Sequence, residues 1–352
     1  MTTIYREILS ESAVRLQATP TGESPGELKP VRYRAVISNT YNSEVINRNR
    51  FLRVAGAGAA ALAIRPFAQA APDASKFYFA VIADSHIIDG YYKGPESNAE
   101  DTESMFKTSE RLTAARDLIN SLQPRMEQVF LAGDYFHNYP SGDVDFYFQN
   151  ETRLDKAKAL TDSFAMPFHA GFGNHDYAVG MISRENSHEL FRRKFGLKPY
   201  YSVEHRGWKF IHLNNFLGDT WTKGHAKFNL SMGSLGEEQL NWFEAELREN
   251  KPAFVFIHYP LSIVAPVEVK DYGVHSIIKK HRDTIQRVVS GHWHRWFEFG
   301  RSYGPQHLVM AATRYDPNAY LIVEADTKAV RHELLNLDLV DWNTHYSKPY
   351  KS

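Results

Sequence analysis

Five short runs carry residue types that bind hard or borderline metal ions: Asp84-Ser85-His86, Gly133-Asp134, Gly173-Asn174-His175-Asp176, His258 and Gly291-His292-Trp293-His294. Oxygen from Asp84, Asp134 and Asn174, with nitrogen from His86, His258, His292 and His294, suits Zn, Mn or Fe rather than Cu(I) or Ca. The chain has no cysteine, which excludes disulfides, thiolate metal sites and a cysteine nucleophile together. Seven donors exceed what one tetrahedral ion takes and suit two ions, with a carboxylate able to bridge them. The residues Asp84 and His86, and likewise His292 and His294, alternate along the chain. On an extended backbone each pair would aim at one point.

Such donors act together only if the fold brings them together, and each run follows a stretch that reads as a strand. Phe77 to Ala83 (FYFAVIA) is a buried-strand run, and Gln128 to Ala132 and Pro167 to Phe172 are two more. Between them, Ser104 to Leu122 places Met105, Leu112, Ala115, Leu118 and Ile119 at helical spacing, and Leu154 to Phe164 predicts a second helix. A helix over Glu185 to Phe195, a strand pair joined by Arg206-Gly207, and a helix over Leu235 to Glu249 follow. Ala253 to Ile257 and Arg287 to Val289 read as strands flanking a helix over Val274 to His281, and the remaining chain to residue 340 reads as antiparallel strands. The alternation predicts an α/β fold of two mixed sheets packed face to face with helices outside. In such sheets ligands bind beyond the carboxyl ends of the strands, where all five runs lie.

The order D-x-H, GD, GNHD, H, GHxH, carried by Asp84 to His294, resembles the signature of the calcineurin-like metallophosphoesterase superfamily. The resemblance implies a four-layer sandwich over residues 71–352 and hydrolysis of phosphoric mono- or diesters by hydroxide formed between two divalent or trivalent ions. It implies that Asp84, His86 and His294 hold one ion, that Asn174, His258 and His292 hold the other, and that Asp134 bridges them. His175 would be the catalytic residue beside the leaving group, with Asp176 a candidate to orient it. Purple acid phosphatases of this superfamily carry tyrosine where this chain has His137, so an iron–tyrosinate chromophore is not expected. The Asp-x-His opening is similar to the bacterial cyclic-nucleotide phosphodiesterase branch, which makes that activity an alternative. A binding protein that keeps the fold and the metals but only captures a phosphorylated ligand is another. Tyr91, Tyr92, Tyr135, His137, Asn214, Asn215, Trp293 and Trp296 are candidates to line the cleft or simply to pack, and His169, His205, His212 and His307 read as structural.

Lys+Arg and Asp+Glu are both 41, so no charge imbalance points to nucleic acid; the resemblance implies a small-molecule phosphate ester as substrate. Residues 45–70 place a basic cluster before an Ala/Gly-rich apolar stretch that ends in Ala68-Gln69-Ala70. This is the layout of an export signal cleaved after Ala70, with an apolar part too short to span a bilayer. Arg48-Asn49-Arg50-Phe51-Leu52-Arg53 is similar to a twin-arginine signal with Asn49 in place of the second arginine, so the twin-arginine machinery is the expected partner and the periplasm or exterior the expected location. Residues 1–44 are then expected to be an upstream extension, with translation starting at Val45. The mature chain is expected to carry no transmembrane segment.

Overall fold

The structure is a computed structural model and describes residues 73–177, 180–340 and 342, with Thr344–His345 and Lys348–Pro349. The expected extension and export signal lie outside the described residues. Along the chain run β1 (Lys76–Ile82), α1 (Ala99–Phe106), α2 (Thr108–Ser121), β2 (Gln128–Leu131), α3 (Phe146–Gln149), α4 (Arg153–Thr161) and β3 (Phe168–Ala170). Then come α5 (Arg184–Leu190), continued by a π-helical turn over Phe191–Phe195, and β4 (Tyr201–His205), β5 (Trp208–Leu213), α6 (Glu237–Leu247) and β6 (Ala253–Ile257). The last elements are α7 (Val274–Lys280), β7 (Ile285–Ser290), β8 (Phe297–Gly300), β9 (Gln306–Val309), β10 (Tyr320–Asp326) and β11 (Arg331–Leu334).

Two mixed sheets form, flanked by helices, in the strand orders β11-β10-β1-β2-β3 and β4-β5-β6-β7-β9-β8. β1, β2 and β3 are mutually parallel, as are β5, β6 and β7, so within each sheet their carboxyl ends share one edge. The long apolar texture of β1 follows from burial on both faces. Phe77, Phe79 and Val81 enter the core between the sheets, and Ala80 and Ile82 are buried on the other side. Across that core Phe130 of one sheet stacks between Phe210 and Phe256 of the other, with ring centroids 4.5 and 4.9 Å away. Such aromatic contacts add about 0.5–1.5 kcal/mol each beyond area burial.

Two details differ from the sequence reading. The helix expected from Ser104 is two helices broken at Lys107, because Asn98 caps an earlier start by accepting the Asp101 amide at 2.8 Å. The carboxyl-terminal strands are not all antiparallel. β9 inserts between β7 and β8 and pairs parallel with β7, since the chain first crosses to the edge as β8 and then turns back.

Candidate metal centre

Each of the five runs leaves its strand at a carboxyl end: Asp84 and His86 after β1, Asp134 after β2, Asn174 and His175 after β3, His258 after β6, and His292 and His294 after β7. The backbone there is not extended. Asp84, His86, Asp134, His292 and His294 all have φ between 46° and 70°, the left-handed region that non-glycine residues seldom enter. Convergence therefore comes from kinks at the strand ends and not from strand alternation, which corrects the extended-backbone expectation. Strain of this kind persists where surrounding structure over-determines it, and at functional sites above all. Two glycines make room for the kinks. A Cβ on Gly173 would lie 2.1 Å from Asp134 Oδ1, and one on Gly291 would lie 2.4 Å from Asp84 Oδ2.

The donor atoms form two adjoining groups. In the first, His86 Nε2 lies 3.2 Å from His294 Nε2, 3.4 Å from Asp134 Oδ2 and 4.0 Å from Asp84 Oδ1, and His294 Nε2 lies 3.1 Å from Asp84 Oδ1. In the second, His258 Nε2 lies 3.1 Å from Asn174 Oδ1 and 3.2 Å from Asp134 Oδ2, with the His292 ring 5.4 Å from the His258 ring. Asp134 belongs to both. Its Oδ2 is buried and accepts no hydrogen bond, although two imidazole nitrogens stand beside it. A buried carboxylate oxygen left without a donor is costly unless a cation takes that place. The residues present thus fit metal binding. Asp84, His86, Asp134 and His258 form a buried floor, and Asn174, His175, His292 and His294 are partly exposed at the mouth.

Neighbouring groups fix the donors. His258 donates Nδ1–H to the Ala132 carbonyl at 2.9 Å, which leaves Nε2 facing Asp134. The His292 amide donates to both carboxylate oxygens of Asp84, at 3.0 and 3.2 Å. Burial opposes a charge on His258, but the Asp134 carboxylate beside it outweighs that and raises its pKa to about 9. Burial likewise works against ionised Asp134, yet His258, His175 and His86 hold it well below the usual carboxylate range.

His175 sits over the shared residue. Its amide donates to Asp134 Oδ1 at 2.9 Å, and its Nδ1 meets Asn138 Oδ1 at 3.0 Å. Burial and the nearby His137 bring its pKa down to about 3. Asn138, not Asp176, orients this ring. Asp176 turns inward and accepts the amides of Gly173, Tyr135 and Phe136 at 2.7, 3.1 and 3.2 Å, which ties the two loops bearing Asp134 and His175. Asn138 was missed because its signal, an asparagine four residues after Asp134, is common in turns; its left-handed backbone, with φ of 58°, is visible only in the fold.

Other sequence candidates separate cleanly. His137 is buried at the site, its Nδ1 3.1 Å from His86 Nδ1 and its ring stacked on His175 at 4.4 Å. Tyr92 reaches the same corner, with its ring 5.9 Å from His137. Tyr135 packs inward and bonds Thr161, Asn214 bonds Tyr177, and Asn215 bonds the Tyr259 carbonyl. Tyr91 packs on Phe146, Trp296 is part of the core, and Trp293 joins Phe297 and Phe299. His169 and His205 bond Gln128, His212 stacks on Phe256, and His307 bonds Ser290, all as structural residues.

The family model for calcineurin-like phosphoesterases matches residues 77–296, more than half of the chain and every donor above. The chain belongs to the calcineurin-like phosphoesterase family. Calcineurin-like phosphoesterases are dinuclear metal-dependent enzymes, and this chain is a metal-dependent hydrolase of phosphoric esters. Among solved structures it is similar to a dimetal phosphatase from Danio rerio, with 17% identity, a TM-score of 0.50, and coverage of 73% of this chain and 98% of that one. It also matches a 5'-nucleotidase from Candida albicans at 15% identity and a TM-score of 0.38, covering 73% of this chain and 50% of that one. The likeness to the Danio rerio structure shows the fold alone. No curated protein matches the sequence. Among the described residues, no helix is long and apolar enough to cross a membrane.

Proposed function

We propose that this phosphoesterase hydrolyses small-molecule phosphoric mono- or diesters outside the cytoplasm. One metal ion would be held by Asp84, His86 and His294 and a second by Asn174, His258 and His292, with Asp134 shared. Fe, Mn and Zn all suit the donor set. The observation that carries the reading is the buried Asp134 Oδ2, without a hydrogen bond and flanked by one imidazole from each group. When bound, the metals supply Lewis acidity and a nucleophile at neutral pH. The chain supplies the rest. Asn138 accepts the Nδ1 proton of His175 and so orients the ring, with the bare Nε2 left as the nitrogen that must first take up a proton before it can pass one to the leaving oxygen. Asn174, His175, His292 and His294 are the partly exposed members of the set, through which a substrate would reach it. The basic-then-apolar segment ending at Ala70 supports export, and its resemblance to a twin-arginine signal supports that route.

Metal analysis with turnover of p-nitrophenyl phosphate and bis-p-nitrophenyl phosphate tests this function. Two ions per chain and turnover of one or both esters are expected, and faster turnover of the diester would favour a phosphodiesterase. In Asp134→Ala both metal and turnover should be lost, whereas His175→Ala should keep metal and lose rate by about 10²–10⁴-fold. A fully metallated, active Asp134→Ala protein would refute the assignment.

A further inference from the structure

We propose that Glu96 and His137 form a positioning relay that fixes the tautomer of His86, so that His86 presents a bare Nε2 to the metal site. The inference rests on reading His86 as a metal ligand. His86 is fully buried, and its two ring nitrogens face different surroundings. Nε2 faces His294 and Asp134, while Nδ1 faces His137 Nδ1 at 3.1 Å. The far nitrogen of His137, Nε2, lies 3.4 Å from Glu96 Oε1.

The hydrogen positions follow from what each group can do. A carboxylate only accepts, so the hydrogen of neutral His137 sits on Nε2, toward Glu96. Its Nδ1 is then a bare lone pair. Two bare nitrogens at that separation would repel, so His86 carries its hydrogen on Nδ1 and donates it to His137. Neutral His86 is left with a bare Nε2, the form that binds a metal. The opposite tautomer would point a hydrogen at Asp134 Oδ2, 3.4 Å away, where it would compete with a cation for that oxygen, and would leave two bare nitrogens facing each other between His86 and His137. Orienting hydrogen bonds of this kind raise ligand basicity as well as fixing the ring.

The relay is held at each step. Glu96 accepts the Tyr92 hydroxyl at 2.8 Å, and its amide donates to Thr102 Oγ1 at 2.9 Å. Arg314 stands 3.9 Å from its other oxygen and is itself anchored on Ser104 and the Asp101 carbonyl. The His137 amide donates to the Ile87 carbonyl at 3.0 Å, and its carbonyl accepts from Arg153, whose guanidinium is paired with Asp89. Stacking on His175 sets the plane of the His137 ring, and the contacts of its two nitrogens with His86 and Glu96 set which way it faces. The long polar connection after Asp84 thus contributes Glu96 to the metal site at second hand.

Two measurements on the whole chain test the relay. Long-range ¹H–¹⁵N correlation spectra of metal-free, histidine-labelled protein should show His86 with hydrogen on Nδ1. In His137→Leu, which cannot accept that hydrogen, the tautomer should shift toward Nε2–H and Mn²⁺ affinity should fall by about 10–100-fold. His137→Gln, whose side-chain carbonyl can accept, should restore both. If His137→Leu fails to fold, Glu96→Ala should show the same shift and a smaller loss. Wild-type His86 with hydrogen on Nε2, or equal Mn²⁺ affinity in wild type, H137L and E96A, would overturn the inference and leave the metal reading intact. Absence of metal binding by wild type would overturn both.

Discussion

Replacing Gly173 by alanine probes how tightly the centre is built. A Cβ at that position would stand 2.1 Å from Asp134 Oδ1 and 2.2 Å from the Asp134 amide nitrogen, whereas ordinary contact begins at 3.4 Å. One side must therefore move by more than an ångström. Neither side has a free direction, because Asp134 is buried and Asp176 ties its loop to Gly173 through the amides of Tyr135, Phe136 and Gly173 itself. Overpacking of this kind costs about 1–3 kcal/mol of stability. A misplacement of about 1 Å in catalytic geometry costs about 10²-fold in rate. Gly173→Ala should thus melt earlier, hold less metal and turn over an aryl phosphate about 10²-fold more slowly. The matched control is Gly90→Ala, where the added methyl meets nothing within 4 Å and all three readings should stay at wild type. A Gly173→Ala protein with wild-type metal content and turnover would refute the claim that Asp134 sits in a rigid frame.

Asn138→Ala should retain metal and slow turnover about 10-fold or more by freeing the His175 ring, while Asp176→Asn should mainly lower the melting temperature; the reverse pattern would restore Asp176 as the orienting group. Phe210→Ala should cost about 3–5 kcal/mol in denaturant unfolding, because the ring is fully buried between both sheets, without altering the metal content of the folded fraction. His332 is held by burial at a pKa of about 4, below its value in the unfolded chain. The unfolded state therefore binds more protons below about pH 6.5, and this stabilisation is lost as the pH falls from there toward 4. Thermal melts from pH 7 to 4.5 should show that loss, and His332→Asn should flatten part of the slope.

The strand-end residues and the two mixed sheets were legible in the sequence because the runs around Phe77, Phe130 and Phe254 are apolar on both faces, and a metal donor follows each run. What lay beyond reach was local backbone conformation. Nothing in Asp84-Ser85-His86 announces two left-handed residues, yet those kinks aim the donors. The role of Asp176 misled for the same reason: adjacency to His175 says nothing about direction when the chain turns between them, and the inward turn lets one carboxylate satisfy three amides. Parallel insertion of β9 depends on sheet order, which short strand runs do not encode.

The most direct test is anomalous X-ray diffraction from crystals of the protein loaded with Mn²⁺. Two peaks are expected, one among Asp84, His86 and His294 and one among Asn174, His258 and His292, with Asp134 between them. A single peak, or peaks elsewhere with Asp134 Oδ2 still bare, would contradict the two-metal account.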